Sequence, residues 1–280
     1  MSADAVPRPY DVLADQPQRR WRRYFQEVWR FRELVLNLVS RDLKARYKSS
    51  VLGFLWSFAN PVLMMAVFTI VFTALLPNRE MPNFPVFVLS GLLAWNWCSA
   101  STLGGVYSIT ANAHLVKKVA FPRELLPLSV VLSNGVNFLL ALLPLLLLSI
   151  AFGLWPTPLY LLLPVVIVIQ ILFLTGLALF LGCLNVYFRD TEAIMDVVVM
   201  AWFFLTPVVY AVEHLSPQNA RVIYWLNPMA SIISTYRLIF YYQAPPAPDF
   251  VLRMAVQAIL VFVVGYLFFL RHAPDFGESV

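Results

Sequence analysis

Between residues 51 and 270 the chain holds six apolar stretches: Val51–Leu76, Pro85–Tyr107, Leu125–Phe152, Leu159–Phe188, Ala193–Val212 and Val251–Leu270. Each is near or above the roughly 20 helical residues that cross about 30 Å of hydrocarbon. Period-two alternation is weak and the runs are too long for barrel strands. The expected fold class is therefore an all-α integral membrane protein with six transmembrane helices. Composition agrees, since 60% of the residues are hydrophobic and 12% charged, against about 25% charged in soluble domains. That balance excludes a disordered chain and argues against an ordinary soluble enzyme.

The basic residues set the expected orientation. Eleven of the 20 Lys and Arg lie in residues 1–50. Lys117, Lys118, Arg123, Arg189 and Arg271 fall on the same side of the predicted spans, and only Arg79, Arg221, Arg237 and Arg253 fall on the other. This asymmetry places both termini in the cytoplasm. The Pro-rich residues 1–18 are expected to form a flexible cytoplasmic tail, 49–270 the membrane domain, and 271–280 a second cytoplasmic tail. No secretory leader is read in the polar, aromatic-rich first 50 residues. Cys98 and Cys183 both sit inside apolar runs and read as buried thiols.

Three segments outside the spans carry a pattern of their own. In residues 19–48, Trp21, Phe25, Val28, Phe31, Val35 and Leu38 recur every three or four positions, with Arg22, Arg30, Glu33, Asn37 and Arg41 facing elsewhere. That predicts an amphipathic helix in the membrane interface, as a simple anchor or as the wall of a lateral doorway. In residues 108–124, Asn112 is placed to cap a short helix that Phe121-Pro122 ends. Its Lys117 and Lys118 beside Leu115, Val116 and Phe121 suggest docking to a partner. In residues 213–243 the apolar content is too high for an open loop, so two short helices broken at Asn227-Pro228 are expected to dip into the outer leaflet.

Chemical motifs are sparse. The phosphate-binding G-x-x-x-x-G-K-[ST], the metalloprotease H-E-x-x-H and the nucleophile elbow G-x-S-x-G do not occur in the sequence. His114, His214 and His272 are separated by the predicted topology and cannot share a metal. Arg189, Asp190, Glu192 and Asp196 cluster between the fourth and fifth spans, where they read as an ionic network of helix ends rather than a Mg²⁺ site. Asn96, Asn134, Asn137, Gln170, Asn185 and Thr206 are the polar side chains available for bonding between helices. None of the spans has a central ionisable residue of the kind proton-coupled carriers use. Nothing in the chain supports nucleic-acid binding.

Residues 40–72, SRDLKARYKSSVLGFLWSFANPVLMMAVFTIVF, resemble the opening of the permease subunits of bacterial ABC-2-type exporters for lipid-linked polysaccharides. LVKKVAFPRELLPLS at 115–129, LNVYFRD at 184–190, WFFLTPVVY at 202–210 and LNP at 226–228 follow in the same order. The resemblance implies a homodimer of this permease with two copies of a separate nucleotide-binding subunit. That partner would carry the ATP and Mg, leaving this chain non-catalytic and without cofactor or metal. It also implies a place in the bacterial inner membrane and an undecaprenyl-diphosphate-linked glycan as substrate. By that likeness 108–124 is the segment coupled to the ATPase, through Asn112, Leu115, Lys117, Lys118, Phe121, Pro122, Arg123 and Glu124. Residues 19–44 brace the permease. Arg41, Arg46, Tyr47 and Lys48 would meet the lipid headgroup, with charge-assisted bonds from the basic side chains. Trp56, Phe58, Phe68, Phe72, Trp202 and Phe203 would offer ring faces to sugars along a path between the two permeases. Asn227, Pro228, Tyr236 and Arg237 belong to the re-entrant segment at the outer mouth. The rival readings are an ABC-2-type drug or small-lipid exporter and a membrane-embedded lipid-phosphate enzyme built on Asp190, Glu192 and Asp196.

Overall fold

A computed structural model describes residues 31–47, 56–71, 81–118, 121–212 and 216–276. The predicted tail 1–18, the first part of the 19–48 helix, Lys48, Phe72 and residues 213–215 and 277–280 lie outside the described residues, as do the side chains of Arg46, Tyr47 and Phe58. The architecture is all-helical and multi-span. In chain order the helices are α1 Arg32–Tyr47, α2 Trp56–Ile70, α3 Phe84–Tyr107, α4 Ala113–Lys118, α5 Leu125–Ala151, α6 Leu163–Tyr187, α7 Thr191–Leu205, α8 Pro217–Leu226, α9 Pro228–Arg237 and α10 Pro248–His272.

Four helical stretches are long and apolar enough to cross a bilayer: Phe84–Tyr107, Leu125–Ala151, Pro158–Tyr187 and Pro248–Asp275. α3 is the central one. It packs on α5, α6, α7 and α9, and 18 of its 24 residues are buried. α6 and α10 make the most intimate pair because two glycines meet at their crossing. A Cβ built on Gly265 would lie 2.0 Å from the Gly176 carbonyl oxygen, and one on Gly176 would lie 2.4 Å from Phe262 Cα. Small residues let helix backbones approach this closely in lipid, where van der Waals packing replaces hydrophobic attraction between helices.

The predicted fifth span, Ala193–Val212, is shorter than expected. α7 ends at Leu205 and Thr206 is already extended. Pro207 has no N–H to continue the ladder and disfavours a helical conformation at the residue before it. The chain after α7 does break at Asn227-Pro228: α8 ends at Leu226 and Pro228 is the first residue of α9. Pro fits that first position because its missing N–H has no helical acceptor there. At the other end of the chain α10 runs past Leu270 to His272, and a 3₁₀ turn, Ala273–Asp275, leads to a fully buried Phe276. Within the stretch 271–280 read from the sequence as a tail, Ala273 and Phe276 are therefore buried while Arg271, Pro274 and Asp275 are exposed.

The two larger of the apolar clusters among the described residues organise the molecule. The larger fills the space among α3, α5, α6, α9 and α10. The smaller gathers Leu38 of α1, Ile109, Val116, Phe121, Leu126, and the far ends of α6 and α10 through Phe269 and Phe276. The latter cluster defines one end of the molecule. Asn83, Phe152, Trp155 and Gln243 meet at the opposite end, where Asn83 Nδ2 donates to the Phe152 carbonyl and Gln243 Nε2 to that of Trp155.

Candidate functional site

At the α1 end, the 3₁₀ turn Thr110–Asn112 leads into helix α4, and the turn is bonded to α1 through Arg41 while Val116 of α4 shares an apolar cluster with Leu38 of α1. The Arg41 guanidinium donates from Nη1 to Asn112 Oδ1 at 2.9 Å, and Asn112 Nδ2 donates to the Ser108 carbonyl at 2.8 Å. Asn112 is therefore not the helix cap its position suggested. It closes a 3₁₀ turn and is held as an acceptor for an arginine 71 residues away in sequence. The remaining Arg41 donors face Asp42 at 3.0–3.1 Å, an exposed pair of little energetic weight.

The expected coupling residues separate into two groups. Phe121 is buried in the cluster that also holds Leu38 and Phe276, and Glu124 is buried at the start of α5. Arg123 donates to the Ala273 carbonyl and lies 6.0 Å from the Phe276 ring centroid. Leu115 and Pro122 are half-buried, and only Lys117 and Lys118 of the set are exposed, beside an exposed His114. Arg123, Phe121 and Glu124 therefore form the frame of the segment, and the two lysines form its outward face. The clasp from Ala273 and Phe276 was not legible in the sequence, because nothing in a polar C-terminal stretch marks a phenylalanine for burial 150 residues from its partners.

Arg189, Asp190, Glu192 and Asp196 are all exposed at the turn from α6 into α7. Among the described residues the ion pair is Arg41–Asp42, so the expected ionic network among these four is not formed. Glu192 and Asp196 are like charges one helical turn apart, which favours separation, and the Tyr107 hydroxyl faces the Glu192 carboxylate. No group of three or more His, Cys, Asp or Glu is placed to hold a metal ion among the described residues.

The aromatics expected along a path are dispersed. Trp56 is exposed, while Phe68 packs against Phe84 and Phe87 at the start of α3. Trp202 and Phe203 are half-buried on Trp95, in edge contacts of 5.5 and 5.7 Å. Trp202 Nε1 also donates to Asn227 Oδ1, Asn227 Nδ2 to Thr206 Oγ1 at 2.8 Å, and the Met229 N–H to Asn227 Oδ1. Asn227 thus ties the end of α7 to the break between α8 and α9. The exposed face of α7 is mainly aliphatic: Val197, Met200 and Leu205 lie there with Phe204.

Tyr236 and Arg237 are internal struts. The Tyr236 hydroxyl donates to Gln170 Oε1 at 3.0 Å, and Gln170 Nε2 donates to the Ala94 carbonyl at 3.0 Å, so one buried relay joins α9, α6 and α3. Arg237 is 2% exposed. It donates to the carbonyls of Pro207 and Val208 at 2.6 Å, of Tyr210 at 3.2 Å and of Phe87 at 3.3 Å, with its guanidinium 3.6 Å from the Phe87 ring centroid. The freed carbonyls after α7 are the acceptors this side chain requires. The sequence marked Arg237 as an outer-side charge and a residue of the re-entrant segment, with no sign of these carbonyl partners.

The family described as ABC-2 type transporter matches residues 33–241. The O-antigen export system permease protein RfbA of Myxococcus xanthus is 41% identical over 260 residues, which cover 92% of this chain and 99% of that protein. A protein of the same description from Klebsiella pneumoniae is 32% identical over 247 residues, 88% of this chain and 94% of the relative.

Proposed function

The chain belongs to the ABC-2 type transporter family, and we propose that it is the permease subunit of an ATP-driven exporter carrying a lipid-linked polysaccharide across the inner membrane. The observation that carries the reading is the 41% identity to an O-antigen export permease over nearly the whole of both chains. A multi-pass non-catalytic subunit fits that likeness. ATP and Mg belong to a separate nucleotide-binding partner, two copies of which serve two copies of this permease. The substrate is an undecaprenyl-diphosphate-linked glycan moving to the outer face.

In this reading six helices span the membrane, with α2 and α7 as the two short ones and both termini in the cytoplasm. The 19–48 helix lies in the interface, and 213–243 re-enters from the outside. Lys117 and Lys118 on α4 contact the ATPase. Their displacement passes to α1 through the Asn112–Arg41 bond and to α10 through Arg123 and the Ala273 carbonyl. Arg46 and Lys48, beside Tyr47, meet the diphosphate, since Arg41 is engaged by Asn112 and Asp42. Sugars pass between the two permeases along α2 and α7, which both present exposed apolar faces within one chain.

The test is a mild-detergent pulldown of the tagged chain with its partners identified by mass spectrometry, beside a Lys117→Glu/Lys118→Glu variant. Phe121 is left intact because its burial makes any replacement a folding variant. A nucleotide-binding subunit recovered one to one, and lost in the variant, is expected. A stable chain that comes down alone overturns the exporter reading. Undiminished recovery with the variant overturns α4 as the docking element. Glycan absent from the outer face of cells lacking the permease separates polysaccharide export from export of a drug or small lipid.

A further inference from the structure

At the end of the molecule away from α1, a cavity of about 270 Å³ opens among α3, α8, α9, the turn after α9 and the start of α10. Its volume lies at the lower edge of the roughly 300–1,000 Å³ typical of small-molecule sites, so it suits one ring rather than a lipid or an oligosaccharide. Four aromatic side chains wall it: Phe87, Tyr224, Tyr242 and Phe250. The Phe250 ring stands edge-on to Tyr224 at 5.2 Å, and Tyr242 edge-on to Phe87 at 6.5 Å. One polar edge is supplied by Ser234, whose hydroxyl lies 3.1 Å from the Tyr224 hydroxyl.

The charge in the wall argues against an anionic ligand. Arg237 lines the cavity, yet its donors go to the carbonyls of Phe87, Pro207, Val208 and Tyr210. Among the described lining residues there is no carboxylate to select a cation. What remains is a pocket with flat apolar walls, one guanidinium whose donors are engaged, and hydroxyls along one edge. A pyranose ring has the matching chemistry, with C–H faces that pack on aromatic rings and hydroxyls that bond at the rim.

The Tyr224 and Phe250 side of the wall is also held before any ligand arrives. The Arg253 guanidinium lies 4.9 Å from the Phe250 ring centroid and 5.7 Å from that of Tyr224. Gln257 Nε2 donates to the Trp225 carbonyl at 2.8 Å and to that of Tyr224 at 3.2 Å. These contacts clamp the end of α8 against α10, so ordering the aromatic wall is not a further cost of binding.

We propose that this cavity is a binding site for a single neutral sugar ring at the outer end of the permease, set within one chain and apart from the path between the two copies. It rests on the exporter reading for its source, a sugar of the exported glycan. The test is saturation-transfer NMR on the full-length permease in nanodiscs, with methyl α-D-mannopyranoside and methyl β-D-galactopyranoside as probes and cyclohexanol as the apolar-ring control. Ring-face protons of at least one glycoside are expected to saturate more than its methyl group and more than the control. Ala247→Trp, placed on the exposed connector at the rim, is expected to reduce that signal at least about five-fold by filling the mouth, and Tyr242→Ala to weaken it through the loss of one wall. No transfer to either glycoside, transfer to cyclohexanol as strong as to the sugars, or an unchanged signal in an Ala247→Trp protein of wild-type thermal stability would each overturn the site. Because the measurement needs neither ATP nor a partner chain, a lost sugar signal leaves the pulldown result standing. Failure of the pulldown with the sugar signal intact overturns the exporter reading alone.

Discussion

Replacement of Arg237 by methionine keeps most of the side-chain volume and removes every donor. Two of its acceptors, the carbonyls of Pro207 and Val208, are buried, and methionine leaves them without that partner, whereas the Phe87 carbonyl still accepts from the Ser90 hydroxyl. At about 1–3 kcal/mol for each orphaned buried acceptor the loss is about 2–6 kcal/mol, a large share of the roughly 5–15 kcal/mol that holds a folded domain together. The predicted outcome is a fall in the heat-unfolding midpoint of at least about 4 °C, taking 2 °C per kcal/mol at the low end. Fluorescence-monitored unfolding of the purified chain in one fixed detergent reads this directly. Arg237→Lys should fall between the two, because a compact ammonium cannot reach carbonyls on α3 and on the turn after α7 together. A methionine variant within about 2 °C of wild type would refute the view that this arginine ties α3 and α9 to the turn after α7.

Two other substitutions test the remaining joints. Gly265→Ala places a methyl against the Gly176 carbonyl at the crossing of α6 and α10; since backbone cannot yield like a side chain, a loss at or above about 3 kcal/mol and poor monodisperse yield are expected. Gly153→Ala is the control, for its Cβ meets nothing within 4 Å although its φ is +81°, and it should lower stability by only about 1–2 kcal/mol in the same unfolding assay. Arg41→Ala is expected to cost about 1–2 kcal/mol and to raise hydrogen exchange in α1 and in 108–118 together; faster exchange in one segment alone would show that the Arg41–Asn112 bond does not join them.

Legibility followed the range of the interaction. The breaks at Pro207 and Pro228 were readable because a missing N–H acts within a few residues, although the end of α7 was placed too late by reading hydropathy across Thr206. Asn112 was recognised as a polar residue at a helix start, but its real partner is on another helix. Phe121, Arg123 and Glu124 carried the same signal as Lys117 and Lys118 in the docking segment, and only burial separates frame from face. Trp202 and Phe203 were legible as an aromatic pair, but nothing in the sequence marks the Trp95 edge on which both rest.

The sequence by itself determined that the chain is a helical membrane protein and, through its motifs, which family it belongs to. Long uncharged stretches admit few structures in hydrocarbon, where the backbone must satisfy its own hydrogen bonds. Only the tertiary structure decided that Arg237 is a buried clamp, that Phe276 closes the cluster at the α1 end, and that four aromatic side chains wall one small cavity. Each depends on groups tens to more than a hundred residues apart meeting at a few ångströms, and composition and periodicity carry no record of that distance.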